Sequence, residues 1–559
     1  MMSGSLSVVL EPLDSSEFLS VLRSFLDILS SCRGPKAGVK LLVSSGGITT
    51  VTSSSSRLLC NLMLDNPLCV MVTQVMKSQI STYGDYGLYC GVLTCSLMEK
   101  VLSQDKVHHN LACELIQHLG STVTSLLILN CMKLCLNFDS VKELLSVVKP
   151  ILSSKPACGL SKDEIAALSV NVTKAFLKTV DEDLGEVLVL EGGACEGSSK
   201  VLQGVLYPLV NEESILEVLE QKYMDKNCAI PLLLFNVMLT ESGTPASRRD
   251  EDIVSVDDNN GCDFIGNVLW ILEQAVKLQV GIVACQKVVH SSIRMYLQRN
   301  NILLLERMGT ELTRGVEKLS GAKPLSSLQK LSLQYLQSYV GHIESVSVMK
   351  QNKKQFILLE NEHNVATVLL FAPSEEACSE LKVVTDQALK ALRQLIYSPC
   401  VTPGAGCAEA CLAVLLQAQI FDAQNPSVFQ PEQLRFAVGW LQRTLLITAG
   451  FKQTSTTSLS IDSIYYHLWQ QKIHCCCGLV AASQVEDDRG QWIELNSSLG
   501  RGMLLPSSAN LRDEPKTPVV FHDNAVLEVY SSKYNALKLA LESCSHMLSI
   551  GIIVYKPCV

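Results

Sequence analysis

Residues 81–100, STYGDYGLYCGVLTCSLMEK, combine a glycine-punctuated turn with an apolar stretch of helical spacing. The turn is Tyr83-Gly84-Asp85-Tyr86-Gly87. Gly84 and Gly87 permit backbone conformations and close approaches that a β-carbon forbids. Asp85 puts one carboxylate just ahead of a helix whose first amide hydrogens have no intrahelical acceptor. Free amides and an acid at a helix start suit a phosphate and its magnesium. The plainer reading is a loop whose Asp caps the helix. The hydroxyls that a phosphate site wants are missing, because Gly87, Leu88 and Tyr89 follow Tyr86.

Two further patterns invite chemistry and carry less of it. Gly192 to Ser199 (GGACEGSS) has the glycine spacing of a P-loop. Ser198 stands where the phosphate-binding lysine belongs and Lys200 comes two places late, so the segment reads as a flexible loop. The 22 cysteines are scattered, with no C-x-x-C pair. Cys90/Cys95, Cys131/Cys135 and Cys407/Cys411 suit one face of a helix, and the run Cys475-Cys476-Cys477 is poor geometry for one tetrahedral zinc. His474, beside that run, is the strongest metal candidate; His108-His109, His342 and His363 have no ligand spacing. No metal is expected, and the cysteines read as reduced, buried thiols that behave as small hydrophobes. No Ser-His-Asp arrangement stands out.

The elements that must position these residues follow from pattern. A chain of 559 residues is long enough for three or four domains. Hydrophobic residues make up 47% and charged residues 18%, which supplies a large core, and the net charge of −9 argues against non-specific nucleic-acid binding. The start, MMSGSLSVVLEPLDSSEF, lacks a basic n-region and does not read as a signal peptide. Thr122 to Phe138 is the most apolar run, but Ser125, Asn130, Lys133 and Asn137 interrupt it, so a buried helix is expected and not a membrane span.

Leu19, Leu22, Phe25, Leu26 and Leu29 predict an amphipathic helix over 13–31. Residues 39–52 read as a β-hairpin with Ser45-Gly46-Gly47 at its tip. Helices are expected from about 55 to 64, from Asn66-Pro67 to 82, and over 88–104, 107–118, 122–150 and 161–180, the last with Ser161 and Glu164 in capping-box spacing. From 181 the texture is α/β. Strands are expected at 186–190, 201–206, 229–238, 281–285 and 301–306, and helices at 264–279, 290–299 and 310–320. Residues 241–262 read as an exposed loop. Strands return over 344–372. Helices follow at 374–418, broken by Pro403-Gly404-Ala405-Gly406, and at 431–449 and 525–550. The order is helical, then α/β, then helical, so a helical domain made from both chain ends should carry an α/β insertion.

Gly34-Pro35-Lys36, the 44–52 hairpin, Asn66-Pro67, Gly84-Asp85, Ser153-Ser154-Lys155 and Pro403-Gly404-Ala405-Gly406 with Glu409 occur in the order seen in group II chaperonins. Cys285 to Pro324 resembles a chaperonin apical domain. The resemblance spans about 14–555, and within the TCP-1/cpn60 family it points to the divergent Bardet-Biedl chaperonin-like branch. It implies a multidomain α and α/β fold in three parts. The equatorial domain would be 1–145 with 390–559, the intermediate domain 146–197 with 350–389, and the apical domain 198–349.

The resemblance also implies a nucleotide site, built in the family from Gly-Pro-Lys-Gly, Asn-Asp-Gly, Gly-Asp-Gly-Thr-Thr and a triple glycine. Here the retained positions are Gly34, Pro35, Lys36, Gly84, Asp85, Gly87, Gly404 and Gly406. Ala37 replaces a glycine. Ser53-Ser54-Ser55 stands at Asn-Asp-Gly, so Ser54 replaces an acid. The water-orienting position falls on Gln387, whose amide cannot act as a base. Asp386 is about 100° round the helix. Two lost carboxylates should cost several orders of magnitude in rate. The expectation is a non-enzymatic assembly factor with no catalytic residues and no required cofactor, and with ATP and magnesium not turned over if bound. Implied partners are other Bardet-Biedl chaperonin-like proteins, cytosolic chaperonin (TRiC) subunits and BBSome subunits, in the cytoplasm and at the centrosome and ciliary basal body. Nucleic acid and membrane insertion are not expected. The alternatives are an active ATP-dependent folding chaperonin, and a helical repeat scaffold, against which the α/β centre argues.

Overall fold

The structure is a computed structural model. It describes the chain apart from residues 1–6, 35–36, 44–46, 48, 105–106, 129–131, 181–183, 195–197, 210–228, 241–260, 329–332, 352–353, 363–364, 421–428, 451–458, 471–472, 487–491, 496–515, 517–524 and 556–559. The chain divides into two compact units. One comprises Met1–Ser169 with Ser379–Val559, and the other Val170–Cys378.

The first unit begins with β1 (Ser7–Leu10), α1 (Ser16–Ser31) and the antiparallel hairpin β2 (Lys40–Val43) and β3 (Thr49–Thr52). Then come α2 (Ser55–Asn61), α3 (Pro67–Tyr83), α4 (Gly87–Leu102) and α5 (His109–Ile128). The expected cap of α3 is present: Asn66 Oδ1 accepts from the amides of Leu68 and Cys69. α4 is apolar on all sides, and every residue from Gly87 to Met98 is buried. A β-carbon on Gly91 would lie 2.4 Å from Met76 Sδ and 3.1 Å from Leu29, so that glycine lets α3 and α1 close onto α4.

Two expectations fail after α4. Residues 107–118 and the following stretch form one helix, α5, not two. Residues 122–150 are not one helix, because β4 (Leu134–Cys135) intervenes before α6 (Val141–Ser153). Leu134 pairs with Val401 and Cys135 with Cys400, partners more than 260 residues away that no local pattern discloses. α7 (Lys162–Lys178) carries the expected capping box. Glu164 Oε2 accepts from the Ser161 amide at 2.8 Å, and Ser161 Oγ accepts from the Glu164 amide at 3.3 Å.

The second unit contains β5 (Glu186–Ala194), β6 (Lys200–Gln203), β7 (Val205–Leu209), β8 (Ile230–Phe235), α8 (Gly261–Lys277), β9 (Ile282–Cys285), α9 (Ser291–Arg299), β10 (Leu303–Leu305), α10 (Gly309–Ser320), α11 (Leu333–Gln337), β11 (Gly341–Ile343), β12 (Ser345–Gln351), β13 (Lys354–Glu360) and β14 (Val365–Ala372). Its central sheet has the order β10-β9-β8-β11, with β8, β9 and β10 parallel and β11 antiparallel. Side chains alternate across it, as strand geometry requires. Leu232, Leu234, Ile282 and Ala284 pack with Val316 and Leu319 of α10. Leu233, Phe235, Val283 and Cys285 pack with Ile271 of α8 and Ile293 of α9. Two three-stranded sheets complete the unit, β12-β13-β7 and β5-β14-β6. Gly192 to Ala194 of the glycine-rich segment belong to β5 and β6 begins at Lys200, and among its described residues there is no helix to receive a phosphate. The loop expected over 241–262 lies outside the described residues except for its end, where α8 begins at Gly261.

The first unit resumes within α12 (Glu375–Tyr397), then β15 (Cys400–Pro403), α13 (Cys407–Ile420), α14 (Pro431–Thr448), β16 (Leu459–Asp462), β17 (Leu468–Trp469), α15 (Ala482–Glu486), β18 (Trp492–Leu495), β19 (Leu527–Val529), α16 (Tyr530–Leu548) and β20 (Ile552–Tyr555). β20 pairs antiparallel with β1 and so joins the two ends of the described chain. No helix among the described residues is long and apolar enough to cross a membrane.

Candidate functional site

The nucleotide-site positions named from the sequence all belong to the first unit. Pro35 and Lys36 lie outside the described residues. Gly34 has φ +81° in an open turn, and its carbonyl accepts from the Ala37 amide at 3.0 Å. Gly84 closes α3 with φ +82°. A β-carbon there would lie 2.8 Å from Lys390 Cδ of α12. Asp85 is half-buried, and its backbone carbonyl faces Gln79 Nε2 at 3.5 Å. Tyr86 precedes α4 with φ +66°, a left-handed conformation that a tyrosine adopts only under constraint. Gly87 opens α4, and a β-carbon on it would meet Ile80 Cδ1 at 2.5 Å. Asp85 makes no side-chain cap of α4, whose preceding residue is Tyr86.

At the other glycine turn, Gly404, Ala405 (φ +52°) and Gly406 (φ +85°) lead into α13. A β-carbon on Gly404 would touch Val526 Cγ1 at 2.7 Å and Glu528 Oε1 at 3.1 Å, and one on Gly406 would lie 2.6 Å from the Ala449 carbonyl. Both glycines therefore serve close backbone packing.

These turns converge on a buried ionic cluster that local patterns leave hidden. Lys533 Nζ of α16 lies 2.9 Å from Glu409 Oε1 and 2.5 Å from Glu528 Oε2. Two cations lie over the Tyr89 ring, with Arg33 Cζ 5.5 Å and Lys533 Nζ 5.6 Å from its centroid. Tyr86 packs edge-on against Tyr89 at 6.0 Å, and Arg33 donates to the Thr448 carbonyl. Burial works against the Glu409 carboxylate, but Lys533, with Arg33, outweighs it and holds the group below its usual range. Burial raises Glu528, which Lys533 only partly offsets. Burial also pushes the Tyr86 and Tyr89 phenols well up. A cavity of about 30 Å³, lined by Tyr89, Glu409, Tyr530 and Lys533 among others, leaves room for a water or two.

α12 carries the remaining positions. Glu380, Gln387, Lys390 and Gln394 share one side of this helix. Glu380 is fully buried and ties down the segment at Ser54. It accepts from Thr52 Oγ1 at 2.9 Å, Ser53 N at 2.8 Å and Ser53 Oγ at 3.1 Å, with Arg57 Nη1 at 3.4 Å. Ser54 is buried, its amide donating to Thr52 Oγ1 at 3.0 Å. Gln387 is 4% exposed, and both its Nε2 and Oε1 lack hydrogen-bond partners among the described residues. Asp386, one residue earlier, is half-buried.

The expectation about metal needs correction at one place. His474 turns its Nδ1 to the Cys475 carbonyl at 3.1 Å. The histidine that meets the cysteine run is His467, and the fold adds Cys407 from the start of α13. The side-chain donor atoms of Cys407, His467, Cys475 and Cys477 all lie within 4.8 Å of one another. A consecutive run is poor geometry for one tetrahedral zinc if all three cysteines are to be ligands. A tight turn instead sends Cys475 and Cys477, two apart, the same way, and Cys476 elsewhere.

Residues 25–557 match the TCP-1/cpn60 chaperonin family, and the chain belongs to it. Among its relatives are proteins named Molecular chaperone MKKS. The mouse protein is 27% identical and the human protein 26% identical, each over 97% of both chains. These matches agree with the narrower likeness of ILSSKPACGLSKDE, GDYGLY and ACQKVVHSSIRMYLQ to the McKusick-Kaufman/Bardet-Biedl syndrome chaperonin-like protein. Thermosome subunit alpha of Saccharolobus solfataricus is 21% identical over 78% of each chain.

Proposed function

We propose that this chaperonin-family chain holds or assembles other polypeptide subunits without effective ATP hydrolysis. The observation that carries the reading is Gln387. An amide, buried and unpaired, occupies the position that the family resemblance assigns to the acid that orients the attacking water.

The residues present do not fit a hydrolysing magnesium–triphosphate site. Hydrolysis needs one carboxylate for the metal and another for the water. Asp85 is the only acid among the eight retained nucleotide-site positions. Glu380 already accepts from Thr52 and Ser53 beside Arg57, and Glu409 and Glu528 flank Lys533. Tyr86 and Leu88 stand where small and hydroxylated residues would leave room and donors. The equatorial, intermediate and apical division belongs to the same proposal. So do the partners, which are Bardet-Biedl chaperonin-like proteins, TRiC subunits and BBSome subunits at the ciliary base; relatives named as molecular chaperones support it.

The test is phosphate release by the purified full-length chain, read with malachite green. The expected result is no turnover above a no-protein blank. Turnover that Asp85→Ala abolishes would overturn the proposal.

A further inference from the structure

The cluster at Cys407, His467, Cys475 and Cys477 is built from three separate pieces of chain, each held by its own backbone hydrogen bonds. Cys407 is the first residue of α13, directly after the Gly404–Gly406 turn. His467 ends the β16–β17 turn, which Asp462 organises. Asp462 Oδ1 accepts from the amides of Ile464 and Tyr466 at 3.0 and 3.2 Å. Its Oδ2 accepts from the His467 amide at 2.9 Å and from Trp469 Nε1 at 2.8 Å. The cysteine run forms a turn closed by Cys475 N to the Val480 carbonyl and Gly478 N to the Cys475 carbonyl, both 2.9 Å. Cys476 N ties it to the Leu468 carbonyl at 2.7 Å.

All four donor residues are buried. Cys475 Sγ lies 3.3 Å from Cys477 Sγ, and His467 Nδ1 lies 3.4 Å from each of these sulfurs. The Sγ–Sγ distance is far beyond the roughly 2.05 Å of a disulfide. A tetrahedron with zinc–sulfur bonds of about 2.3 Å has edges of roughly 3.8 Å, so small side-chain adjustments close the shell. The backbone amide of Val480 points at Cys475 Sγ at 3.2 Å, an N–H···S bond that favours a thiolate. The Cys407 thiol lies 3.7 Å from the Leu468 carbonyl.

We infer that Cys407, His467, Cys475 and Cys477 form a closed, structural Cys₃His site for one zinc ion. Sulfur-rich tetrahedral sets select zinc or iron–sulfur centres. Here four donors within 4.8 Å of one another enclose a single ion and leave no space for a polynuclear cluster. Four protein ligands leave no open position, so the ion is structural and not catalytic. Binding displaces the three thiol protons, and zinc does not change oxidation state. The ion joins the start of α13 to the β16–β17 hairpin and so anchors the glycine turn that precedes α13.

The test is metal analysis of the full-length chain purified under reducing conditions without chelator or affinity nickel. One zinc per chain is expected. Cobalt substitution should give the ligand-field bands of a tetrahedral centre with thiolate-to-metal charge transfer. Cys407→Ser, His467→Ala and Cys477→Ser should each cut zinc content several-fold, whereas Cys476→Ser, the intervening residue, should leave it unchanged. Where a variant fails to fold, titrating the wild-type thiols with a mercurial reagent gives the same information: zinc should be released in step with sulfur modification. Wild-type protein that purifies without zinc and binds none when it is added back would overturn the site. So would zinc that stays in the Cys407, His467 and Cys477 variants at wild-type level.

Discussion

Lys533 stands between the buried Glu409 and the partly buried Glu528, and its removal would leave the two carboxylates facing each other without a cation between them. Breaking such a cluster by deleting one partner strands charge in a medium that cannot stabilise it. Lys533→Met is therefore expected to lower stability by about 3–5 kcal/mol near neutral pH. The pH dependence separates this from a packing defect. In the native protein Glu409 sits below its usual range. Its contribution is present above the unfolded pKa of about 4.3 and is lost as pH falls through the lower folded value. Glu528 has the opposite sign: burial raises it, so its ionisation costs stability as pH rises. Without the lysine both groups behave like Glu528. The variant should then recover towards wild type as pH is lowered to about 5. Denaturant unfolding of both proteins across pH checks this, and a pH-independent gap would reject it.

Gly204 joins β6 to β7 in the second unit with φ +98°, and a β-carbon there would lie 2.0 Å from the Leu359 carbonyl of β13. The obstacle is backbone, so no rotamer change relieves it. The Gly204 amide donates to the Val365 carbonyl at 2.8 Å, and its carbonyl accepts from Thr367 Oγ1 at 2.7 Å, so the segment cannot swing away. Gly204→Ala should cost roughly 2–5 kcal/mol, combining left-handed strain with overpacking. Hydrogen exchange should show lost protection in β6, β7 and β13 while α4 is unaffected; unchanged protection would refute the account. The sequence discloses only part of such elements. A single strand is expected over 201–206, because apolar residues flank Gln203-Gly204 on both sides and a glycine's φ is invisible without its neighbours. Asn66-Pro67 and Ser161 with Glu164 were legible because caps are local. The Leu134–Cys135 strand was not, since its partner is the distant β15. The Lys533 cluster and the Cys₃His set were hidden for the same reason. Each joins residues separated by tens to hundreds of positions, and Cys475 and Cys477 converge only because a turn reorients them.

The chain ends and the β2–β3 hairpin raise a question for the molecule as a whole. β1 and β20 pair only with each other, and so do β2 and β3, among the described residues. Two-stranded sheets are marginal in water, and each outer edge offers unpaired backbone groups. Both also carry exposed apolar side chains: Val8, Leu10, Ile552 and Val554 on the first, Leu41, Val43 and Val51 on the second. Leu41 and Val43 are 64% and 65% exposed, so they contribute little to this chain's own core. On the proposed holding function these edges are where another polypeptide gains most, because backbone pairing and apolar burial come together. Leu41→Lys with Val43→Lys puts charge on that edge and leaves the interior intact. The double variant should change stability by no more than about 0.5 kcal/mol per site, the usual range for surface positions. Its capture of partner proteins from ciliated cells, compared by quantitative mass spectrometry with wild type, should fall several-fold. Equal capture by a well-folded variant would show that the hairpin is not a docking edge and would shift attention to the helical surfaces of the first unit.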